Sequence, residues 1–230
     1  MGIDRVLPKS PSGRLCNAGT CDTQHLLTSL THAEHQTDPF DHWLIDDVLP
    51  DRIIDSIIAL PFPPPSDPVF DGRRESNNSA RIYFTPDNQE RFQVCGDVVD
   101  IFGHPSVIRT LEGMTGVNLS SGYLRIEYCQ DVDGFWLEPH LDIPVKLFTM
   151  LVYLSDDPDL FDAGTDIYDD NPDHALVGSI PYFRNTGLIF VPGENTWHGF
   201  SKRPIHGLRQ SIIINYVTPE WRNKDELAYR

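Results

Sequence analysis

Residues Leu137–Leu154, with the sequence LEPHLDIPVKLFTMLVYL, join a candidate metal-binding pair to a long apolar strand. The pair is His140 and Asp142, and the apolar run that follows is Val145–Leu154. Side chains alternate along a strand, so residues two apart point to the same side and could bind one metal ion together. A single His-x-Asp pair is weak evidence on its own. The interpretation therefore depends on residues further along the chain.

The composition is that of one acidic globular domain. The chain has 230 residues, of which 40% are hydrophobic and 23% are charged, and this length supports one domain with a sizeable core. The formal net charge of −16 argues against a nucleic-acid partner, because a protein that binds the phosphate backbone needs a basic surface. A small anionic ligand is compatible with this charge, since one buried arginine can bind it.

No targeting or membrane segment is predicted. Met1–Ser12 lacks the apolar centre of a signal peptide, and no apolar run has the length of a membrane span. The four cysteines, Cys16, Cys21, Cys95 and Cys129, are irregularly spaced, which favours reduced thiols. We therefore expect a cytoplasmic protein without a membrane partner.

The first half of the chain is predicted to be an arm followed by helices. Residues 1–37 are rich in Gly, Ser, Thr and His and are expected to form a flexible arm, so that a single domain covers residues 38–230. Isoleucines at helical spacing after Pro50 predict an amphipathic helix that ends near Leu60. The other predicted elements are strands at Pro39–Ile45 and Arg81–Phe84, and helices at Asn88–Phe102 and from Pro105 onward.

Strand patterns replace helical ones after Gly122. The predicted strands are Tyr123–Cys129, Val145–Leu154, Thr165–Tyr168, Leu188–Val191, Trp197–Phe200 and Leu208–Val217. Several short strands separated by turn residues are typical of a barrel or sandwich, here with a core of about residues 122–217. The acidic segment Ser155–Thr186 is expected to be mostly loop.

One face of the last predicted strand is polar. Arg209, Ser211 and Asn215 share that face with Ile213, while the alternate positions are mostly apolar. Burying an arginine, a serine and an asparagine in this way is costly unless their face lines a polar cavity. The sequence therefore predicts a β-barrel with a functional interior.

His198, in the segment GENTWHGF, adds a second histidine to His140 and Asp142. Two histidines and one carboxylate with open positions are the ligands of non-haem Fe(II) oxygenases. With the segments TMLVYL, GT, GLIF and GLRQS, the sequence resembles the Fe(II)- and 2-oxoglutarate-dependent dioxygenases, in particular their prolyl-hydroxylase-like branch. The resemblance covers Leu124–Val217. It implies a mainly β fold with flanking α-helices, a double-stranded β-helix (jelly-roll or cupin-like barrel) supported by N-terminal helices.

The resemblance also implies roles for individual residues. Fe(II) would be bound by His140, Asp142 and His198, and 2-oxoglutarate and O₂ would be the cosubstrates. Arg209 would bind the distal carboxylate of 2-oxoglutarate through a charge-assisted contact. The further cosubstrate contacts would be Thr149, Tyr153, Tyr128 and Ser211.

The implied reaction is hydroxylation of an unactivated C–H bond, with release of succinate and CO₂. Asp142 favours hydroxylation, since halogenating relatives lack this carboxylate, while desaturation and ring formation stay open. The expected substrate is a small polar metabolite, an amino acid or a derivative. Its expected contacts are Arg74, Glu75, Arg81, Asn215 and Trp221. Two alternatives are a prolyl-type hydroxylase of peptides and, outside the enzymes, a non-catalytic cupin-like metal- or ligand-binding protein.

Overall fold

The computed structural model describes residues 18–66, 68–73 and 81–229, which form five α-helices and eleven strands. The helices are α1 (Ala18–Thr31), α2 (Asp51–Ile58), α3 (Pro86–Arg91), α4 (Gln93–Gly103) and α5 (Pro105–Thr115). The strands are β1 (Glu34–Gln36), β2 (His42–Asp46), β3 (Ile82–Tyr83), β4 (Tyr123–Asp131), β5 (Leu137–His140), β6 (Lys146–Tyr153), β7 (Asp166–Tyr168), β8 (Leu176–Ser179), β9 (Thr186–Phe190), β10 (His198–Phe200) and β11 (Arg209–Val217). None of these helices is both long enough and apolar enough to cross a membrane.

The strands form two antiparallel sheets. The larger sheet has the order β1-β2-β9-β6-β11-β4-β3, and the smaller one has the order β5-β10-β7-β8. An apolar cluster lies between them, with Leu151 and Phe190 from the larger sheet and Phe200 from the smaller one. Two such sheets preceded by helices confirm the predicted double-stranded β-helix architecture.

The other face of the larger sheet packs against the helices. A second apolar cluster lies between this face and the helices, and it contains Ile212, Ile214 and Tyr216 of β11. The Tyr216 hydroxyl donates to the carbonyl oxygen of Phe102 in α4 over 2.6 Å. Because side chains alternate along β11, its remaining positions face the space between the sheets. The face predicted to be polar is therefore the interior one.

Local sequence signals account for the helix boundaries. The Thr85 hydroxyl accepts the backbone N–H of Asn88 at the start of α3, and Gly116 ends α5 in the left-handed region with φ of 74°. The helix predicted over Asn88–Phe102 is in fact divided into α3 and α4. The break is at Phe92, whose backbone is extended.

The predicted flexible arm is wrong for residues 18–37. This segment contains α1 and β1, and Leu26 and Leu30 of α1 are buried where the helix contacts α4 and α5. Polar residues surround these leucines in the sequence and hide the apolar stripe. The domain therefore begins before residue 38, and residues 1–17 lie outside the described part of the chain.

The segment Ser155–Thr186 is more ordered than predicted, because it contains the unpredicted strand β8 beside β7. The carbonyl group of Ile180 passes directly over Gly164, where an added Cβ atom would lie 1.5 Å from the carbonyl oxygen. A glycine is required at this position for steric reasons. This close approach fixes the backbone next to Thr165, which contributes to the interior of the barrel.

Candidate metal centre and adjoining cavities

Strands β5 and β10 bring the two predicted histidine ligands together. His140 and His198 are directly opposite each other in this antiparallel pair, and their ring centroids are 4.4 Å apart. Asp142 lies two residues beyond the end of β5, so the prediction that both members of the His-x-Asp pair lie within one strand is wrong. The irregular segment after β5 nevertheless brings the carboxylate close to the histidines. One ligand atom from each of the three residues lies within 4.8 Å of the others.

Backbone carbonyl groups fix the tautomers of both histidines. Nδ1 of His140 lies 2.8 Å from the carbonyl oxygen of Glu138, and Nδ1 of His198 lies 2.9 Å from that of Thr196. A carbonyl oxygen only accepts, so Nδ1 carries the proton and Nε2 is left as the ligand atom. Burial, together with the neighbouring His140, lowers the pKa of His198 to about 3, which keeps the ring neutral.

The carboxylate of Asp142 is held at both oxygen atoms. Lys146 Nζ donates to Oδ1 over 2.5 Å, and the hydroxyl of Thr149 donates to Oδ2 over 2.7 Å. All three side chains are buried. Each carboxylate oxygen has a second lone pair, so these contacts orient the group and leave it able to bind a metal ion.

The donor set fits a divalent metal ion. Two imidazoles and one carboxylate come together here, and this is the ligand set that suits non-haem Fe(II). The three predicted metal ligands are therefore brought together by the structure.

The triad opens into a cavity between the sheets, called here the interior cavity. Its lining includes the predicted residues Thr149, Arg209 and Ser211 and the substrate candidate Arg81. The other lining residues are Cys129, Asp131, Phe135, Leu137, His140, Asp142, Leu151, Thr165, His198, Gly199, Phe200 and Ile213. The cavity is small, about 50 Å³, and most of its wall is apolar.

Arg209 is buried at this cavity and already has partners. Its Nε donates to the carbonyl oxygen of Ala163 over 2.5 Å, and its Nη1 donates to Asp131 Oδ2 over 2.6 Å. Arg81 donates to the other oxygen of Asp131 over 2.8 Å. One carboxylate therefore lies between two guanidinium groups, so the cluster keeps a net positive charge.

Ser211 and Tyr153 both face the interior as predicted. The Ser211 hydroxyl is buried, and within the described part of the chain no group lies at hydrogen-bond distance from it. An unsatisfied buried hydroxyl at the wall of a cavity is available to a ligand. Tyr153 instead donates its hydroxyl hydrogen to Thr165 Oγ1 over 2.8 Å and accepts the backbone N–H of Thr165. Its hydroxyl therefore supports the cavity wall in this structure.

The prediction for Tyr128 is wrong. Tyr128 pairs with Ile212 in the register of β4 and β11, and both side chains lie in the cluster that faces the helices. Its hydroxyl accepts a hydrogen bond from Gln210 Nε2 over 2.5 Å, on the opposite side of the sheet from the metal site. Because its side chain lies on the helix side of the sheet, Tyr128 cannot contact a cosubstrate bound in the interior cavity.

A second cavity, called here the outer cavity, lies on the other side of the triad and has a volume of about 320 Å³. Its lining consists of Gly72, Arg73, Arg125, Glu138, Pro139, His140, Leu141, Asp142, Ile143, Lys146, Trp221 and Glu226. Two metal ligands, His140 and Asp142, therefore border both cavities. A group in the outer cavity would lie directly beside the metal site.

Two of the predicted substrate residues lie at or behind this outer cavity. The Nε1 atom of Trp221 is buried, and no hydrogen-bond acceptor among the described residues contacts it. Asn215 is buried behind the wall and bonds to Arg125 and Thr149. Arg81 lies at the interior cavity instead, and Arg74 and Glu75 lie outside the described residues.

Three charged residues that hydrogen-bond to predicted site residues were not themselves predicted. Lys146 is the one charged residue in an apolar strand, and this could have identified it as a partner of Asp142. Asp131 and Arg125 lie at alternate positions of β4, on the interior face with the metal site. Their sequence context contains no comparable signal, because β4 is buried on both faces.

The two-sheet topology and the placement of the triad define the fold class of the Fe(II)- and 2-oxoglutarate-dependent oxygenases. Among solved structures, a prolyl-4-hydroxylase from Pseudomonas putida aligns with 85% of this chain and 94% of its own, at 13% identity and a TM-score of 0.51. A prolyl hydroxylase from Trichoplax adhaerens, solved with a peptide fragment of a hypoxia-inducible factor oxygen degradation domain, aligns with 85% of this chain and 88% of its own (14% identity, TM-score 0.52). A collagen prolyl hydroxylase of Paramecium bursaria Chlorella virus-1 aligns over 78% and 90% (14% identity, TM-score 0.50).

These similarities establish a shared fold. No protein-family model matches the sequence, and no curated protein matches it at a significant level. Any assignment of activity therefore depends on the residues of the site.

Proposed function

We propose that this protein is an Fe(II)- and 2-oxoglutarate-dependent oxygenase that hydroxylates a C–H bond. The observation that carries the proposal is the convergence of His140, Asp142 and His198 at a cavity whose wall also contains a buried arginine, Arg209. The histidines and the carboxylate would hold the metal, and the arginine would bind a cosubstrate carboxylate. A cavity that only stored metal would not need that arginine.

In the proposed reaction, 2-oxoglutarate, O₂ and the substrate C–H group yield succinate, CO₂ and the alcohol. Fe(II), when bound, would supply the O₂-dependent oxidation. The chain's own residues bind and orient the reactants. Arg209 would bind the distal carboxylate of 2-oxoglutarate, and Ser211 would donate its unsatisfied hydroxyl to it. The apolar walls, such as Phe135 and Phe200, would exclude water.

The outer cavity is the proposed substrate side of the metal site. It is bordered by His140 and Asp142, and the buried N–H of Trp221 can donate to a carbonyl oxygen of a bound substrate. Its volume lies at the lower end of small-molecule pockets. Both an amino-acid derivative and one or two residues of a peptide are compatible with that size.

Of these two substrate classes, we favour a peptide that is hydroxylated in the manner of prolyl hydroxylation. Support comes from the three solved structures described above, all of which are prolyl hydroxylases. A small amino-acid derivative is the second candidate, supported by the volume of the outer cavity. Succinate formation in the presence of proline-containing peptides or of free amino acids would distinguish the two.

An anaerobic titration tests the metal and cosubstrate sites together. Fe(II) followed by 2-oxoglutarate should produce a visible metal-to-ligand charge-transfer band in the wild type. The band should be absent in His198→Ala and retained in His206→Ala, which removes an exposed histidine outside the triad. Metal binding without a band would favour the non-catalytic, cupin-like alternative. Such a protein would also form no succinate from 2-oxoglutarate.

A further inference from the structure

Three strands of the larger sheet contribute one rung of polar side chains that ends on the metal site. Asn215 of β11 is opposite Arg125 of β4 on one side and opposite Thr149 of β6 on the other. Arg125 Nη1 donates to Asn215 Oδ1 over 3.2 Å, and Asn215 Nδ2 donates to Thr149 Oγ1 over 2.9 Å. The Thr149 hydroxyl then donates to Asp142 Oδ2 over 2.7 Å. We call these hydrogen-bonded residues the rung.

The chemistry of the groups fixes the direction of every hydrogen bond in the rung. A guanidinium only donates, so the Asn215 amide must turn its oxygen toward Arg125 and its NH₂ group toward Thr149. Thr149 accepts from that NH₂ group and has a single hydroxyl hydrogen, which is directed at the carboxylate of Asp142. No alternative orientation of the amide or the hydroxyl satisfies all three contacts.

Arg125, at the far end of the rung, is itself held firmly. Its Nε donates to Glu226 over 2.7 Å and its Nη2 to Glu127 over 3.2 Å. Its guanidinium lies between the rings of Tyr83 and Trp221, at 4.7 Å and 4.8 Å from their centroids. A guanidinium with this many fixed contacts provides a rigid starting point for the rung.

The energetic cost of this arrangement indicates a purpose beyond packing. Arg125, Thr149 and Asn215 are each no more than 2% exposed, and polar groups in such positions are costly unless all their hydrogen bonds are made. An apolar triplet would pack between the sheets without that requirement. What an apolar triplet could not do is donate a hydrogen bond to a carboxylate beside two histidines.

We propose that Arg125, Asn215 and Thr149 are positioning residues that set the orientation of the Asp142 carboxylate for metal binding. Lys146 fixes one oxygen, and the rung fixes the other, so the carboxylate cannot rotate about its Cβ–Cγ bond. The proposal rests on the proposed function only in requiring that a metal ion binds at the triad. It adds that residues without metal contact determine the affinity of that site.

Thr149 offers a matched pair of substitutions. Thr149→Val keeps the shape of the side chain and removes the hydroxyl, while Thr149→Ser keeps the hydroxyl. We expect the dissociation constant of Fe(II), measured by anaerobic calorimetry, to increase about 10-fold to 100-fold in Thr149→Val and to stay near the wild-type value in Thr149→Ser. Equal affinity of Thr149→Val and the wild type would overturn the positioning role.

A double-mutant cycle distinguishes a connected rung from separate structural contributions. Asn215→Ala should also weaken Fe(II) binding, and the double variant with Thr149→Val should bind no more weakly than Thr149→Val alone, because both changes interrupt the same path. Losses that multiply in the double variant would overturn the proposal. Thr149→Ala replaces Thr149→Val in the cycle if the valine variant does not fold, as judged by thermal unfolding without metal.

The Fe(II) affinity measurements also separate the proposed function from the positioning role. A wild-type protein that binds no Fe(II) would overturn the proposed function and the positioning role with it. A wild type that binds Fe(II) with the same affinity as every rung variant would overturn the positioning role alone.

Discussion

Arg209 donates from Nη1 to Oδ2 of Asp131 over 2.6 Å, so a carboxylate of the protein lies against the guanidinium that is proposed to bind the cosubstrate. Arg81 holds the second oxygen of the same carboxylate. The interior cavity holds about 50 Å³, enough for a few water molecules, so a five-carbon diacid enters only if neighbouring side chains move. If 2-oxoglutarate binds Arg209 as proposed, Asp131 would compete with it for this guanidinium.

Asp131→Asn should tighten the binding of 2-oxoglutarate. The variant removes the competing negative charge and leaves two arginines at the cavity, so we expect an affinity for the dianion that is higher by about 10-fold, a change of 1.4 kcal/mol. The protein without cosubstrate should be less stable by about 3 kcal/mol, because two buried cations lose their carboxylate. Titration of the charge-transfer band and thermal unfolding measure the two effects. Weaker binding would mean instead that Asp131 orients Arg209 for its ligand.

Arg209→Ala should weaken 2-oxoglutarate binding by about 100-fold, since charge-assisted hydrogen bonds each contribute roughly 1.5–3 kcal/mol. Arg209→Lys should retain part of the affinity, because an ammonium keeps the charge and loses the two-point geometry. The charge-transfer titration measures both. Arg109→Ala, at an exposed position on α5, is the control and should leave the affinity unchanged. Wild-type affinity in Arg209→Ala would remove Arg209 as the anchor.

Gly164→Ala should destabilise the protein by about 3 kcal/mol or more, because its Cβ atom would lie 1.5 Å from the carbonyl oxygen of Ile180 and the backbone would have to shift. Gly178→Ala, on the neighbouring strand β8, is a matched control. Its Cβ atom meets nothing within 4 Å, and the change in the free energy of unfolding should be within about 0.5 kcal/mol. Chemical denaturation measures both values. Similar losses in both variants would contradict the steric explanation.

Asp166 should contribute stability that disappears in acid. Burial opposes ionisation of this carboxyl, but hydrogen bonds from Arg203 and Ser179 outweigh it and lower the pKa below the usual 3.8. The contribution is therefore fully present above about pH 5 and is lost as the pH falls through the lowered pKa of the folded state. Asp166→Asn should reduce the free energy of unfolding at pH 7 by roughly 2 kcal/mol and flatten its decrease below pH 5. An unchanged acid profile would contradict this assignment.

The parts of the site that could be predicted are those in which sequence alternation separates polar from apolar faces. On β11, Ser211 and Asn215 alternate with Ile212, Ile214 and Tyr216, and the structure places the face of Arg209 and Ser211 inside the barrel. The histidines could be predicted because His140 forms a His-x-Asp pair and His198 completes a set of two histidines and one carboxylate. The His-x-Asp pair can be predicted even though Asp142 lies beyond the end of β5, because the prediction depends on the ligand types and their spacing and not on a continuous strand.

The parts that could not be predicted depend on strand register and on side chains far apart in sequence. Strand β4 is buried on both faces, so its pattern does not tell which face meets the metal, and Tyr128 was assigned to the wrong one. The rung through Asn215 exists only because three strands align at one level. The N-terminal helix was missed for a different reason, because its two buried leucines are surrounded by polar residues.

The division of the metal ligands between the sheets has a consequence for local opening of the fold. His140 and His198 belong to the four-stranded sheet, while Asp142 is tied through Lys146 and Thr149 to the seven-stranded one. An ion bound by all three residues would connect the two sheets, so it would stabilise the conformations in which the sheets remain packed together. Amide protons of β5 and β10 should therefore exchange with solvent more slowly in the metal-loaded protein than in the metal-free protein. Local unfolding of the four-stranded sheet, independent of the seven-stranded one, would then become rarer when the metal ion is bound.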